Sequence, residues 1–210
     1  MSAGHETVVL LHGLWMNRFV MSWLAHRLAL HGFATRLFGY PSFARALDAN
    51  AESLARFLGR LPAATLHLVG HSLGGVTAMA CLAARPEPRV RRVVLLGAPV
   101  RGSAAGVDFA AHRIGRRLLG RSAGLWGVPA VSEAPPGVEV GTIAGTRRLG
   151  LGMFFTRLSG PNDGVVTVTE TELRGARDAI TLPVAHSLML VSPAVARQTE
   201  CFLRTGRFIR

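Results

Sequence analysis

The chain has 210 residues, 49% of them hydrophobic and 17% charged, a composition that predicts a folded globular protein and excludes an intrinsically disordered one. Its net charge is +12 and all of its basic residues are arginine, which favours acidic partners. No apolar run approaches the roughly 20 residues that span a bilayer, and residues 1–6 do not resemble a signal peptide, so we expect a cytoplasmic location.

Apolar runs typical of strands alternate with helical stretches, which predicts an α/β fold: a mostly parallel central sheet of about six strands with helices on both faces. We expect one domain over residues 1–210, without a large cap domain. The predicted strands are Thr7–Leu11, Phe33–Phe38, Thr65–Val69, Val93–Leu96, Val138–Ile143 and Ala179–Leu182. The predicted helices are Phe19–Leu30, Arg45–Leu61, Leu73–Ala84 and Pro193–Leu203.

The segment 97–136 interrupts this alternation of strands and helices, because it is long for a connection between a strand and a helix and is rich in Gly, Ser and Pro. We interpret it as a cleft-covering or lid-like insertion. Within it, residues 109–119 form a short basic amphipathic pattern. Such a helix can lie on an anionic membrane surface or can simply cover the edge of a cleft, and the sequence leaves both readings open.

The remaining arginines are mostly spread along the chain, as expected for helix ends and solvated faces. Nucleic acid is therefore not an expected partner, and peripheral contact with an anionic membrane fits the charge better. The two cysteines, Cys81 and Cys201, have no metal-ligand spacing and predict buried thiols.

The motif Gly70-His71-Ser72-Leu73-Gly74-Gly75 follows a predicted strand and opens a predicted helix. This is the context that a Gly-x-Ser-x-Gly nucleophile elbow requires. A serine held at such a sharp turn projects its hydroxyl above the sheet edge, and the small flanking residues let the backbone pass its neighbours. We predict that Ser72 is a nucleophile; the alternative is an ordinary turn with a capping serine.

Acyl transfer also needs two donors aimed at the developing oxyanion. The loop His12-Gly13-Leu14-Trp15 follows the first predicted strand. The backbone N–H groups of Leu14 and Leu73 are the expected pair, since backbone direction matters more there than side-chain identity.

Together these motifs resemble those of the α/β-hydrolase superfamily, and within it the small lipases and esterases. The resemblance implies a serine hydrolase whose catalytic residues follow the order Ser, acid, His. It also implies a structural role for His12 rather than that of the base.

Two histidines follow Ser72 in the chain, His112 and His186. His186 comes after the last predicted strand, where similar hydrolases carry their catalytic histidine, so we predict that it is the base. For the acid, Asp163 lies in an Asn-Asp-Gly turn followed by Val-Val, as in many lipases. Asp108 is the main rival, and Asp178 is expected at the wrong end of the sheet.

The expected reaction is hydrolysis of a carboxylic ester through an acyl-enzyme, with a small acyl ester as substrate and with no metal or organic cofactor. A thioesterase or acyltransferase would share the same residues, and a non-catalytic protein of this fold is a further alternative. Trp15 and Phe19 are the predicted substrate-binding residues. Other apolar side chains that suit an acyl chain are Met16, Trp126, Met153, Phe154 and Phe155.

Overall fold

The structure, a computed structural model, describes residues 6–127, 131, 133–149 and 158–210. Its strands form one parallel six-stranded sheet in the order β2-β1-β3-β4-β5-β6. The strands are β1 (Thr7–Leu11), β2 (Ala34–Phe38), β3 (Leu66–His71), β4 (Val90–Leu96), β5 (Glu139–Gly145) and β6 (Asp178–Leu182). The α-helices are α1 (Ser22–Leu30), α2 (Leu47–Gly59), α3 (Leu73–Ala84), α4 (Ala104–Ala111), α5 (Arg113–Leu119) and α6 (Pro193–Thr205). Short 3-10 helices span Arg18–Met21, Gly120–Ser122, Thr169–Thr171 and Ser187–Val191.

The strand order places a crevice at the carboxyl edge of the sheet. The chain leaves β1 toward β2 on one side and then returns to β3 on the other, so the connections that follow β1 and β3 diverge. Ligands of open α/β sheets bind at such a switch point. The register pairs Leu11 with Gly70, which brings the loop after β1 beside the turn after β3.

The hydrophobic core lies on both faces of the sheet, as the continuous apolar strands predict. Side chains alternate along β1: Val9 and Leu11 belong to the cluster under α2 and α3, whereas Val8 and Leu10 belong to the cluster under α1 and α6. This period of two follows from the pleat of a strand. Both faces are thereby covered, and the carboxyl edge is left for the connecting loops.

Two arginines tie helix ends to the sheet. Arg89 donates to the carbonyls of Leu58, Leu61 and Ala63 near the end of α2. Buried Arg92 forms a 2.7 Å ion pair with Glu139 and donates to two carbonyls at the end of α6. Because the last carbonyls of a helix lack intrahelical donors, cations stabilise them.

The predicted fold class is confirmed, and β1 and α3 match the predicted bounds. The single helix predicted over residues 109–119 is wrong: the chain breaks at His112, whose backbone is extended, and forms α4 and α5 instead. Close packing explains the break, because a Cβ at Gly115 would lie 1.9 Å from the carbonyl oxygen of Phe109. Both cysteines are free thiols, Cys81 buried and Cys201 partly exposed. No helix in the described parts of the chain has the length and apolar character needed to cross a membrane.

Candidate active site

The turn between β3 and α3 carries the predicted nucleophile, Ser72, in a backbone conformation that residues other than glycine rarely adopt. Its φ is 53° and its ψ is −125°, and its amide donates to the carbonyl of Leu96 at 2.9 Å. Such conformations cost on the order of 1–3 kcal/mol and persist where the surroundings impose them. A Cβ at Gly70 would lie 2.4 Å from the first turn of α3, and one at Gly74 would lie 2.5 Å from the carbonyl oxygen of Leu11. The two glycines of the motif are therefore required by backbone packing.

The loop after β1 lies directly against this turn. A Cβ at Gly13 would lie 3.1 Å from Nδ1 of His71 and 3.2 Å from Cβ of Ser72. Tyr40 holds the loop in place by donating from its hydroxyl to the carbonyl of His12 at 2.7 Å, with the two rings stacked at 4.5 Å. Burial lowers the pKa of His12, although its hydrogen bond to the Gly13 carbonyl opposes the shift. The His12 ring is thus part of the core.

The two backbone amides predicted to stabilise the oxyanion are those of Leu14 and Leu73. Leu73 is the first residue of α3, where the amide has no intrahelical acceptor. Leu14 follows Gly13, and among the described residues its amide donates to no protein acceptor. The helix N-terminus adds partial positive charge at the same place. The Leu73 amide and the helix N-terminus can therefore stabilise negative charge beside the serine.

Asp163 and His186 form a buried pair. Oδ2 of Asp163 lies 2.6 Å from Nδ1 of His186, and the two side chains are 1% and 7% exposed. The other carboxylate oxygen, Oδ1, accepts from the amides of Val165 and Val166 at 3.0 and 2.8 Å. The amide of His186 donates to the carbonyl of Asp163 at 3.0 Å. Because a carboxylate only accepts, Nδ1 carries the hydrogen and Nε2 remains the nitrogen that can take a proton.

His71 connects the serine turn to the histidine loop, and the sequence analysis did not assign it a role. Its fully buried ring donates from Nε2 to the carbonyl of His186 at 3.0 Å, and the two rings are 4.7 Å apart. Burial lowers the pKa of His71 to about 3, with a smaller contribution from the neighbouring His186. The ring is therefore neutral at physiological pH. The signal that could have identified it is a histidine at the carboxyl end of a buried strand, directly before the predicted nucleophile.

Two further glycines that the sequence analysis missed make room for the Asp–His pair. Gly97 directly follows β4 with a φ of +54°, and a Cβ there would lie 3.0 Å from Oδ2 of Asp163 and 3.1 Å from Nδ1 of His186. Gly145 ends β5, and its Cβ would lie 2.7 Å from that of Asp163. Glycine at the carboxyl ends of two successive strands is the pattern that could have revealed them.

The sequence matches a known protein family over most of its length. A sequence profile described as the alpha/beta hydrolase family matches residues 8–200. The chain belongs to this family. A comparison with curated proteins found no significant match.

Solved structures that resemble this chain share its fold at low sequence identity. The mature lipase BlEst2 of Bacillus licheniformis is 20% identical, with a TM-score of 0.72 over 99% of this chain and 94% of that one. The metagenomic carboxyl esterase MGS0156 is 18% identical, with a TM-score of 0.68 over 89% and 66%. The RedJ thioesterase of the prodiginine pathway of Streptomyces coelicolor is 17% identical, with a TM-score of 0.63 over 98% and 87%.

The rival acids and the rival base of this α/β-hydrolase lie elsewhere. Asp108 is exposed on α4, and His112 is exposed between α4 and α5. Asp178 begins β6, at the opposite edge of the sheet, where it pairs with Arg210 at 2.7 Å. Asp163 is the acid whose side chain contacts His186.

The two predicted substrate-binding residues are exposed. Trp15 is 55% exposed, has a φ of 58°, and donates from Nε1 to the carbonyl of Leu118 at 2.8 Å. Phe19 is 65% exposed, and the guanidinium of Arg18 lies 5.0 Å from its ring centre. Trp126 is buried in a third hydrophobic cluster, and Met16 packs against the core under α1. Met153, Phe154 and Phe155 lie outside the described residues.

A cavity of about 320 Å³ lies beside the histidine loop, between the end of β6 and the start of α6. Its lining is mostly apolar and includes Ala185 and Leu188, which flank His186. Neither Ser72 nor His186 lines it, so the cavity adjoins the site without covering it. In the described parts of the chain, no group of three or more His, Cys, Asp or Glu side chains is arranged to hold a metal ion.

Proposed function

We propose that this chain is a serine hydrolase that cleaves carboxylic esters through an acyl-enzyme on Ser72. The observation that carries the proposal is the buried pair of Asp163 and His186, linked through His71 to the turn that holds Ser72 in a strained conformation. Nucleophile, base and orienting acid are the three parts that acyl transfer requires. Membership of the hydrolase family supports the same conclusion.

In the first half of the proposed reaction, Oγ of Ser72 attacks the ester carbonyl while Nε2 of His186 takes its proton. Asp163 keeps the hydrogen on Nδ1 and stabilises the imidazolium that forms. The amides of Leu14 and Leu73 hold the oxyanion, and loss of one such donor typically costs about 3 kcal/mol of barrier. His186 then protonates the leaving alcohol, which leaves the acyl group on Ser72.

In the second half, water bound beside His186 attacks the acyl-enzyme. Nε2 takes a proton from the water, the second tetrahedral intermediate uses the same two amides, and the proton returns to Ser72 as the acid leaves. The scheme needs the side chains, the backbone and water, and it assigns no step to a metal or cofactor.

For the substrate, we propose a short or medium acyl ester. Two exposed side chains supply apolar walls for an acyl chain: Trp15 on the loop after β1 and Phe19 in the 3-10 helix Arg18–Met21. Residues 97–127 of the insertion add further wall. The cavity beside Leu188 adds further apolar surface near His186. Uncharged acyl chains suit such walls, because a charged group placed against apolar side chains loses hydration.

The experiment that tests the proposal is hydrolysis of p-nitrophenyl esters, from acetate to palmitate, by the wild type and by Ser72→Ala. We expect activity with an optimum at short or medium length, and a fall in kcat of at least about 10⁴-fold in Ser72→Ala. Ser187→Ala is the matched control, because Ser187 is an exposed serine beside His186. Activity that survives in Ser72→Ala would exclude Ser72 as the nucleophile.

A thioesterase is the second candidate, because thioester cleavage would use the same residues and one solved structure with this fold is named a thioesterase. Parallel assays with an acyl ester and an acyl-coenzyme A of equal chain length separate the two. A kcat/KM at least tenfold higher for the ester supports the proposal. The reverse preference would assign the chain to thioester cleavage.

A further inference from the structure

The segment from α4 to residue 127 presents a surface that combines arginines with exposed apolar side chains. On α5, Ile114 is 76% exposed and Leu118 is 51% exposed. They stand four residues apart, so they share one helix face. The basic apolar surface, as we call it, consists of Ile114 and Leu118 together with the exposed arginines Arg113, Arg116, Arg117 and Arg121.

The charge of this surface is not neutralised within the described protein. Its four arginines are exposed, and in the parts of the chain that the structure describes none of them forms an ion pair. This contrasts with Arg89 and Arg92, which bind glutamates and helix-end carbonyls. Between residues 104 and 127 the sole acidic residue is Asp108. The surface therefore has a local excess of positive charge.

Packing directs these side chains outward. The buried side of α5 is formed by Gly115, against Phe109, and by Leu119, which joins the cluster that contains Leu73. The loop after β1 is fastened to the end of the helix by the bond from Trp15 to the Leu118 carbonyl. Leu73 is the residue after Ser72, so the surface borders the candidate active site.

We propose that the basic apolar surface docks this protein on anionic lipid bilayers, with Ile114 and Leu118 inserted at the headgroup boundary and the arginines on lipid phosphates and carboxylates. Arginine-rich amphipathic helices bind membranes in this way. Complementary charge argues for an anionic surface, and exposed aliphatic side chains argue for lipid. Nucleic acid would use the arginines but gains little from an isoleucine and a leucine.

Sedimentation with lipid vesicles tests the proposal. Phosphatidylcholine vesicles containing about one third phosphatidylserine are compared with pure phosphatidylcholine vesicles, since each arginine near an anionic surface strengthens binding about fivefold. We expect binding to the anionic vesicles alone, weakening as salt shortens the Debye length from about 10 Å at 0.1 M to about 3 Å at 1 M. In the double variant Arg113→Gln/Arg117→Gln, the partition constant should fall about 25-fold.

The matched control is Arg60→Gln/Arg207→Gln, which removes the same amount of charge. These two exposed arginines follow α2 and α6, at the edge of the sheet where the strands begin. It should bind nearly as well as the wild type. Ile114→Gln keeps every charge and should weaken binding about tenfold through the lost apolar burial. Thermal unfolding shows that each variant is folded, and the salt titration of the wild type needs no variant.

Three outcomes would overturn the proposal. Equal binding to neutral and anionic vesicles would show that charge does not drive the binding. Equal weakening in the control and in Arg113→Gln/Arg117→Gln would mean that overall charge, and not this surface, holds the vesicle. Binding of an RNA oligonucleotide that is lost in Arg113→Gln/Arg117→Gln, with no vesicle binding, would assign the surface to nucleic acid.

Discussion

Acidification should destabilise this protein through His71. The ring is fully buried, and burial lowers its pKa to about 3, whereas a histidine in the unfolded chain titrates near 6.5. Between these two values the unfolded state binds a proton that the folded state excludes. The free energy of unfolding therefore has its full His71 contribution above pH 6.5 and loses it progressively as the pH falls.

The magnitude follows from the two pKa values. From pH 7 to pH 5, His71 alone should lower the free energy of unfolding by about 2 kcal/mol, and by about 3 kcal/mol at pH 4. At pH 5 the size of the effect depends almost entirely on the unfolded pKa, because the folded pKa lies well below that pH. With a urea m-value of about 2 kcal/mol/M, the unfolding midpoint should shift by about 1 M.

The test compares urea unfolding of the wild type and His71→Gln at pH 5, 6 and 7. Glutamine does not titrate, and its Nε2 can replace the donor to the His186 carbonyl. His12 and His67, whose pKa values burial also lowers, remain in both proteins and cancel in the difference. His26→Gln removes an exposed histidine and should follow the wild type.

The stability difference between wild type and His71→Gln should therefore change by about 2 kcal/mol between pH 7 and pH 5. A difference that is the same at all three pH values would refute the reasoning. It would mean that the ring is protonated in the folded protein, or that water reaches it.

Three other substitutions should give distinct results. Asp163→Asn should lower kcat by about 10⁴-fold in the ester assay, because the asparagine amide can hold the wrong tautomer of His186. A melting temperature lowered by more than 10 °C in this variant would instead indicate a structural role for Asp163. Gly97→Ala should lower both kcat and stability, because the added Cβ crowds the Asp–His pair. Gly137→Ala is the control, since Gly137 also has a positive φ but lies in open space; it should cost about 1 kcal/mol of stability and leave kcat unchanged. Phe202→Ala should cost about 3–5 kcal/mol in urea unfolding because the ring fills the core against β5; a cost below 1 kcal/mol would contradict that packing.

The sequence by itself determined the fold class and most element bounds. Continuous apolar runs such as Thr7–Leu11 can bury all of their side chains only where both faces of the strand are covered, so the parallel sheet follows from local composition. The helix Leu73–Ala84 was predicted with its observed bounds, because prolines follow it and the elbow precedes it. The observed bounds of β5 and α2 differ by one or two residues at each end from the predicted Val138–Ile143 and Arg45–Leu61.

The sequence also nominated the residues of the candidate site, but the contacts among them depend on the tertiary structure. Asp163 and His186 are 23 positions apart, and their 2.6 Å contact exists because β5 and β6 end at one edge of the sheet. The break at His112, the hydrogen bond of His71 and the space kept by Gly97 were not predicted. Each depends on atoms from distant parts of the chain, whose close approach is decided by packing and leaves no periodic pattern in the local sequence.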